Sequence, residues 1–477
     1  QRVRHTGPPV AAALVRPLAV GPGDDLGPYL GRYLRGDLGQ PWRAGSRVRW
    51  PMGHPDNRHG IVLGATGLGK TEIILGPIVE WAAAHGWQVI YLTCKEPPST
   101  DQSAAPRLAA IAARHDLTYR VLTPGYGPYD PMRGHPDAIR DRLIRIQQWG
   151  DEYWSHCANL LVGLALDLSA EAGKPLAGLP DLVYSLVTSQ LRQLARTSRD
   201  DRVRMLVDAL DDRALSGALT RYASMALHLR GWIAPREAGG WSWEDADVAC
   251  VELPTSSAPE AADALMRMML RDFGSYLTDP ARRQTLPDGR QRPVLMVIEE
   301  VGAVTCDPVL GREFVAQVER ARAASSYTLM TAQDPIGIGD ERTVSAILTN
   351  ATVLTYRQTV QAQRVAQLAG TTRVTEGGAD YDADGTWQHQ GVMRRQHSFK
   401  VNPQLLRELR QGEFVIINRG HYLKGVAALT ALGYGVPADI PLVRQVVDEL
   451  ERSRTAIPQQ REEPRGGDAL PVPVSEW

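Results

Sequence analysis

The sequence predicts an α/β fold: a parallel central sheet covered by helices, with an all-α domain inserted into it. Three observations carry that expectation. A glycine-rich octapeptide, GATGLGKT at 64–71, stands between an apolar run and a helical stretch. Strand and helix signals alternate up to about residue 133 and resume after about 245. Between those points helical periodicity is almost unbroken.

Residues 1 to about 50 are rich in Gly, Pro and Arg, with one short apolar patch at 11–15. They read as an N-terminal arm or linker. A nucleotide-binding domain then begins, its first part at 51–133. Its strands are expected at 61–63, 87–93 and 118–122, separated by helices ending near His85 and containing Leu108 and Ile111. From 134 to 245 the pattern turns helical. Ile139, Leu143 and Ile146 share a face at i, i+4, i+7, and leucines recur from Leu160 to Leu194. The α/β rhythm returns over 246–435, with strands expected at 248–253, 294–298, 327–331, 351–356 and 413–418. The last stretch, 436–477, reads as a helix followed by a flexible tail rich in Pro, Glu and Arg from about Arg452.

Bulk composition excludes several classes. The 477 residues carry a formal net charge of −1, so no global basic field advertises nucleic acid. Hydrophobic residues make up 43% and charged residues 22%, which is ordinary for a globular chain. No run of about 18 apolar residues is available to cross a membrane. The four cysteines are not spaced as C-x-x-C, and they read as reduced, buried thiols of a cytosolic protein.

The octapeptide matches the phosphate-binding pattern G-x-x-x-x-G-K-[ST] in the strand–turn–helix context it requires. Gly64, Thr66, Gly67 and Gly69 shape a loop whose backbone N–H groups can face phosphate, reinforced by the helix N-terminus. Lys70 adds a full charge for the γ-phosphate, and Thr71 offers a hydroxyl to Mg2+. Only five of the 53 basic residues are lysines, so a chance match is rare. The site calls for ATP and Mg2+.

A second motif is the strand VLMVI at 294–298, which ends in Glu299 and Glu300. In an ATPase the first acid holds Mg2+ and the second polarises the attacking water. The bland alternative is an acidic turn after any buried strand. The expected geometry has the loop at Lys70 and the acid pair meeting across adjacent strand tips. Gln333 follows the strand at 327–331, where its amide can sense the γ-phosphate or simply cap a turn. Upstream, Arg320 and Arg322 are candidates to reach a neighbour's nucleotide, or are part of a solvated face.

Together these segments resemble the conjugative coupling-protein family, the TraG/TraD-like ATPases of type IV secretion, within the FtsK/HerA branch of RecA-like motors. The resemblance covers roughly residues 55–430. GATGLGKT is similar to the family's G-x-T-G-x-G-K-[ST], YLTCKEP to its second-strand D-x-K-G-E segment, and YDPMRG to the segment just before its all-α domain. VLMVIEEVGAV sits where the family has an apolar strand and D-E, and LMTAQDP looks like its Gln motif. There are three departures. Glu299 replaces the usual Asp, Thr93 or Cys94 replaces the second-strand aspartate, and the family's N-terminal transmembrane pair is not in the sequence.

The resemblance implies a RecA-like homo-hexamer with nucleotide at subunit interfaces and DNA, single-stranded and delivered with a relaxase, in the central channel. By position before the Gln motif, Arg322 and then Arg320 match the family's arginine finger. A relaxase or adaptor would dock on the all-α domain, and secretion-channel proteins would be further partners. The expected place is the cytoplasmic side, at the inner face of the cell membrane, with an anchor outside this sequence. Two alternatives remain: a substrate-recruiting receptor that hydrolyses little, and an FtsK/HerA-like double-stranded-DNA translocase.

Overall fold

The computed structural model describes residues 28–36, 47–50, 52, 59–95, 103–123, 125–147, 149–253, 255–381, 387–418, 420–427 and 440–456. Thirteen strands occur among them: β1 (Tyr29–Gly36), β2 (Arg47–Arg49), β3 (His59–Leu63), β4 (Gln88–Thr93), β5 (Tyr119–Leu122), β6 (Val248–Glu252), β7 (Val294–Glu299), β8 (Ser326–Ala332), β9 (Ala351–Thr355), β10 (Thr371–Tyr381), β11 (Trp387–Phe399), β12 (Glu413–Asn418) and β13 (His421–Ala427). Eleven of them form one sheet, ordered β2-β1-β13-β12-β9-β3-β8-β7-β4-β6-β5.

The half from β9 to β5 is parallel throughout. The half from β12 to β2 is antiparallel. Every residue of β3, β4, β6, β7, β8 and β9 is buried, as expected for strands covered on both faces. Their side chains alternate between two cores. Ile61, Leu63, Met296, Ile298 and Met330 point to one face. Val62, Leu295, Val297 and Leu329 point to the other.

The second core is closed by α1 (Gly76–Ala84), α2 (Ala104–Arg114) and a C-terminal helix. The first core runs without a break into the helical segment: α3 (Pro136–Arg145), α4 (Glu152–Glu171), α5 (Leu179–Ser185), α6 (Thr188–Thr197), α7 (Asp201–Asp208) and α8 (Asp212–His228). No strand falls among the described residues between β5 and β6. Carboxylates cap this segment repeatedly. The side chains of Asp151, Asp200 and Asp211 each accept the N–H of the residue two positions on, at the starts of α4, α7 and α8. The chain then continues through α9 (Pro259–Thr278), α10 (Gly302–Thr305), α11 (Pro308–Ala321), α12 (Glu341–Asn350), α13 (Ala362–Leu368), α14 (Pro403–Arg407) and α15 (Pro441–Ala456), the C-terminal helix.

A buried ionic cluster ties the base of the helical segment to the sheet. Asp272 of α9 is fully buried and accepts from Arg282 at 2.6 Å, from Arg142 of α3, and from the Tyr129 hydroxyl. Arg282 also pairs with Glu244 at 2.8 Å. Residues entering the segment (Tyr129, Arg142) meet Asp272 and one leaving it (Glu244) meets Arg282, so all three converge on the Asp272–Arg282 pair.

Three expectations need correction. Residues 29–36 and 47–49 are not arm or linker but the outer strands of the main sheet, with Leu30, Val48 and Trp50 buried. Their apolar positions are too few and too interspersed with Gly and Arg to announce a strand locally; pairing with β13 makes it. Second, β3 and β7 are not neighbours. β8 lies between them, pairing Leu63 with Ala332 on one side and Ile298 with Met330 on the other. Strand order is set by long-range pairing, which uniformly apolar strands do not reveal. Third, the stretch between 356 and 413, where no strand is expected, holds the hairpin β10–β11, whose residues lack strict alternation. The tail expected from about Arg452 begins later, since α15 runs to Ala456; residues 1–27 and 457–477 lie outside the described residues.

Candidate functional site

The site sits at the C-terminal tips of the parallel strands, the edge where open α/β sheets place ligands. Leu63 ends β3, and the loop 64–69 follows. Gly67 and Gly69 have φ of +82° and +84°, where a side chain is strained. At Gly69 a Cβ would also lie 2.5 Å from Ile73 Cδ1. Ala65, Thr66 and Gly67 are exposed, so the cradle is open to solvent. Gly64 is buried, and its N–H donates to Ala332 O on β8 at 3.2 Å.

The helix after the loop begins with a π-helical turn, Lys70–Leu75, before α1. Pro77 explains it. Proline has no N–H to donate back to Ile73 and its ring crowds that carbonyl, so the ladder shifts register. The Gly76 N–H accordingly reaches back to Thr71 O.

Lys70 is buried, and its ammonium rests on the carbonyl oxygens of Gly64 and, at 3.2 Å, Ala65. Burial is the largest influence on it and holds its pKa below the usual lysine value, aided by Lys95 and opposed by Glu300 and Glu299. A desolvated ammonium held only by neutral carbonyls is poised to accept an anion.

Thr71 and Glu299 meet directly: Thr71 Oγ1 donates to Glu299 Oε1 at 2.7 Å. Tyr91, on β4, donates to the other carboxylate oxygen at 2.9 Å. Lys95 donates to Oε1 at 2.7 Å and lies 3.7 Å from Glu300 Oε1. Burial by itself pushes the Glu299 carboxyl up. The Lys95 ammonium, with hydrogen bonds from Lys95, Thr71 and Tyr91, outweighs it and holds the pKa below the usual carboxylate range.

These donors fit Mg2+. Two cis ligands of an octahedral ion with bonds of 2.0–2.1 Å stand about 2.9 Å apart. The Thr71–Glu299 oxygen separation of 2.7 Å is close to that edge. The extra methylene of Glu over Asp therefore does not prevent the carboxylate from reaching the loop. Among the described residues no group of three or more His, Cys, Asp or Glu forms a metal site, so the hydroxyl, the carboxylate and outside ligands would have to share the ion.

Glu300 has φ of +62°, rare for a residue with a side chain. The turn is held by β8: the Glu300 N–H donates to Thr331 Oγ1 at 3.0 Å and the Val301 N–H to Thr331 O at 2.8 Å. Backbone strain of this kind clusters at functional sites. Gln333 lies just past β8, between the tips of β3 and β7, with its side chain exposed.

Arg320 does not join this constellation. It is exposed near the end of α11, where the chain turns into the N-terminal end of β8, the edge of the sheet opposite the loop. Seven residues of strand separate the two edges, roughly 20 Å. Arg322 follows in a short helical turn at the same edge. Its side chain lies outside the described residues.

Sequence reasoning missed Tyr91, Lys95 and Thr331. In YLTCKEP, Thr93 and Cys94 stand where the resembled family has its aspartate, and nothing local marks Tyr91 or Lys95. Parallel pairing of Thr93 with Glu299 is what carries Tyr91 and Lys95 to the acid pair.

No family model matches the sequence, and no curated protein matches it. Solved structures do match in fold. The plasmid coupling protein TrwB, in complex with the non-hydrolysable GTP analogue GDPNP, superposes with a TM-score of 0.52 at 15% identity, over 83% of this chain and 94% of that one. TrwB with the ATP analogue ADPNP gives 0.52 at 14% identity, over the same shares. VirB4 of Thermoanaerobacter pseudethanolicus gives 0.51 at 14% identity, over 86% of this chain and 99% of that one. The chain thus shares the fold of these proteins: a mixed, mostly parallel sheet with helices on both faces.

Proposed function

We propose that the chain is an ATP-hydrolysing coupling protein that recruits or translocates a DNA–relaxase substrate toward a type IV secretion channel. The observation that carries this reading is the contact between Thr71 and Glu299 beside the buried ammonium of Lys70. It joins phosphate-binding and cation-binding groups in one place, in a fold shared with proteins solved with nucleotide analogues.

In this reading Gly64, Thr66, Gly67 and Gly69 form the backbone cradle, and Lys70 leaves its carbonyl partners to take the terminal phosphates. Thr71 and Glu299 hold Mg2+, which when bound offsets phosphate charge. Tyr91 fixes the Glu299 carboxylate by its second oxygen. Glu300, aimed by its strained backbone, orients water and accepts its proton. Gln333, at the tip of the intervening strand, is placed to couple the loop to the acid pair.

Among the described residues, the subunit's own cationic groups near this site are Lys70, Lys95 and Arg107, the last paired with Glu72; an arginine finger is a further cationic group. Arg320 and Arg322, at the far edge, would supply one only to another copy, which supports a closed ring, a homo-hexamer by resemblance. The helical segment 134–245 is the surface for relaxase or adaptor, and secretion-channel proteins are the downstream partners. The motor would work on the cytoplasmic side, at the inner membrane face. The formal charge of −1 means that DNA contacts must be local, at a pore rim.

The test is ATP hydrolysis by the full chain with and without single- and double-stranded DNA, alongside its mass in solution. Stimulation by single-stranded DNA with ring-sized mass supports the reading. Stimulation by duplex alone points to a double-stranded translocase. Hydrolysis unmoved by any DNA, with binding of a relaxase to 134–245, would favour a receptor.

A further inference from the structure

The acid pair already carries a cation of its own. Lys95 Nζ stands 2.7 Å from Glu299 Oε1, the same oxygen that accepts from Thr71, and 3.7 Å from Glu300 Oε1. Lys95 thus sits on the same carboxylate oxygen that a metal ion held by Thr71 and Glu299 would need.

The two partners differ in exposure. The Glu299 side chain is 7% accessible, whereas that of Lys95 is 40% accessible. A buried carboxylate without a compensating charge is strongly disfavoured. Its other hydrogen-bond partners, the Thr71 and Tyr91 hydroxyls, are neutral, and Lys70 is turned to the loop carbonyls. Of the other cations nearby, Arg107 is engaged by Glu72. Lys95 is therefore the group that balances Glu299. Because its own end is half in water, it can leave at small cost once another cation arrives.

The backbone supports this arrangement. Lys95 lies two residues beyond Thr93, which pairs in register with Glu299 across β4–β7. The Lys95 N–H donates to Thr93 Oγ1 at 3.2 Å, which turns the chain at the strand tip back toward the acids.

We propose that Lys95 is a tethered counter-cation that occupies the metal position on Glu299 between turnovers and is exchanged for Mg2+ when nucleotide loads. This rests on the Mg2+–nucleotide reading of the site. Its consequence is selectivity. Free divalent metal must displace a covalently linked competitor, whereas the metal–nucleotide complex gains additional contacts from the loop and Lys70. The site thus resists loading by metal alone. Lys95 acts here as a positioning residue, and no bond is made or broken by it.

The experiment measures Mn2+ binding to the nucleotide-free full chain by electron paramagnetic resonance, for wild type, Lys95→Met and Lys95→Arg. A fluorescent ATP analogue with Mg2+ is titrated in parallel. Lys95→Met should bind Mn2+ about tenfold or more tightly than wild type, and Lys95→Arg, which keeps the charge, should resemble wild type. A general loosening of the site would not be rescued by arginine. If wild type binds the nucleotide normally but Lys95→Met gains no Mn2+ affinity, the exchange is overturned while the site reading stands. If wild type binds no nucleotide with Mg2+, the site reading falls and takes this proposal with it. Should Lys95→Met melt well below wild type, Lys95→Gln, of similar reach and still polar, makes the same comparison.

Discussion

Thr71 and Glu299 lie 2.7 Å apart, although the strands that deliver them are separated by a third, β8. Thr71 bridges that gap because the loop after β3 arches over the tip of β8, to which Gly64 is hydrogen-bonded. Glu299 bridges it from the other side with the reach of a glutamate. The contact predicts that Glu299→Asp, shorter by one methylene, weakens metal-dependent nucleotide binding in this chain, even though aspartate is the usual acid in the coupling-protein family that the sequence resembles. Nucleotide affinity at a series of Mg2+ concentrations is the check. A tighter-binding aspartate variant would count against a direct Thr71–Glu299 cation site.

Lys70→Ala should lower ATP turnover by about a hundredfold or more, since it removes a charge aimed at developing negative charge. The nucleotide-free variant should melt no lower than wild type, and somewhat higher if its cavity relaxes. The buried ammonium has a depressed pKa, so the unfolded chain holds that proton more tightly than the folded one, and the charge opposes folding below the unfolded value. Differential scanning calorimetry beside a turnover assay separates the two effects.

Glu300→Gln should keep nucleotide binding within a few-fold while turnover falls by about 10²- to 10⁴-fold, the range of a lost general base. The backbone position is independent of the carboxylate, because the Glu300 N–H to Thr331 Oγ1 bond survives. Single-turnover hydrolysis next to equilibrium binding distinguishes a catalytic loss from a folding defect.

Tyr91→Phe removes a buried hydrogen bond to Glu299 and should cost about 1.5–3 kcal/mol at neutral pH. Glu299 has a depressed carboxyl pKa in the folded chain, so its stabilising share is present above the unfolded value of 4.5 and is lost as pH falls through the folded value. The variant raises the folded value toward the unfolded one. The stability gap between wild type and variant, measured by urea unfolding, should therefore be widest near pH 7 and shrink as the solution is acidified below 4.5. A gap of constant size would show that the lost bond does not act through the carboxylate's charge.

Asp272→Ala should destabilise the chain by about 3–5 kcal/mol, because it leaves Arg142 and Arg282 buried without their shared carboxylate. Thermal melting and protease cleavage within 134–245 report it. Release of the helical segment first, with the sheet intact, would identify this cluster as its anchor.

Sequence alone pointed to the candidate site residues and to much of the framework. Gly64 to Thr71 and Glu299–Glu300 stand out as candidates because phosphate and metal binding demand particular residue types at fixed local spacing, whatever the remainder of the chain does. Strands β3, β4, β6, β7, β8, β9 and β12 were recognisable because continuous apolar runs bounded by turns mean burial on both faces. The helical segment was readable from its 3.6-residue period.

What only the tertiary structure decided was everything that depends on which strand lies beside which. Residues 29–36 become strand by pairing with β13. Tyr91 and Lys95 become site residues because β4 pairs with β7 in the register Thr93–Glu299. Arg320 is excluded from its own subunit's site because α11 ends at the opposite edge of the sheet. Local sequence specifies the free energy of burying a strand, but nearly equal apolar surfaces on many strands leave their order to the sum of long-range contacts. That sum exists only in the folded chain.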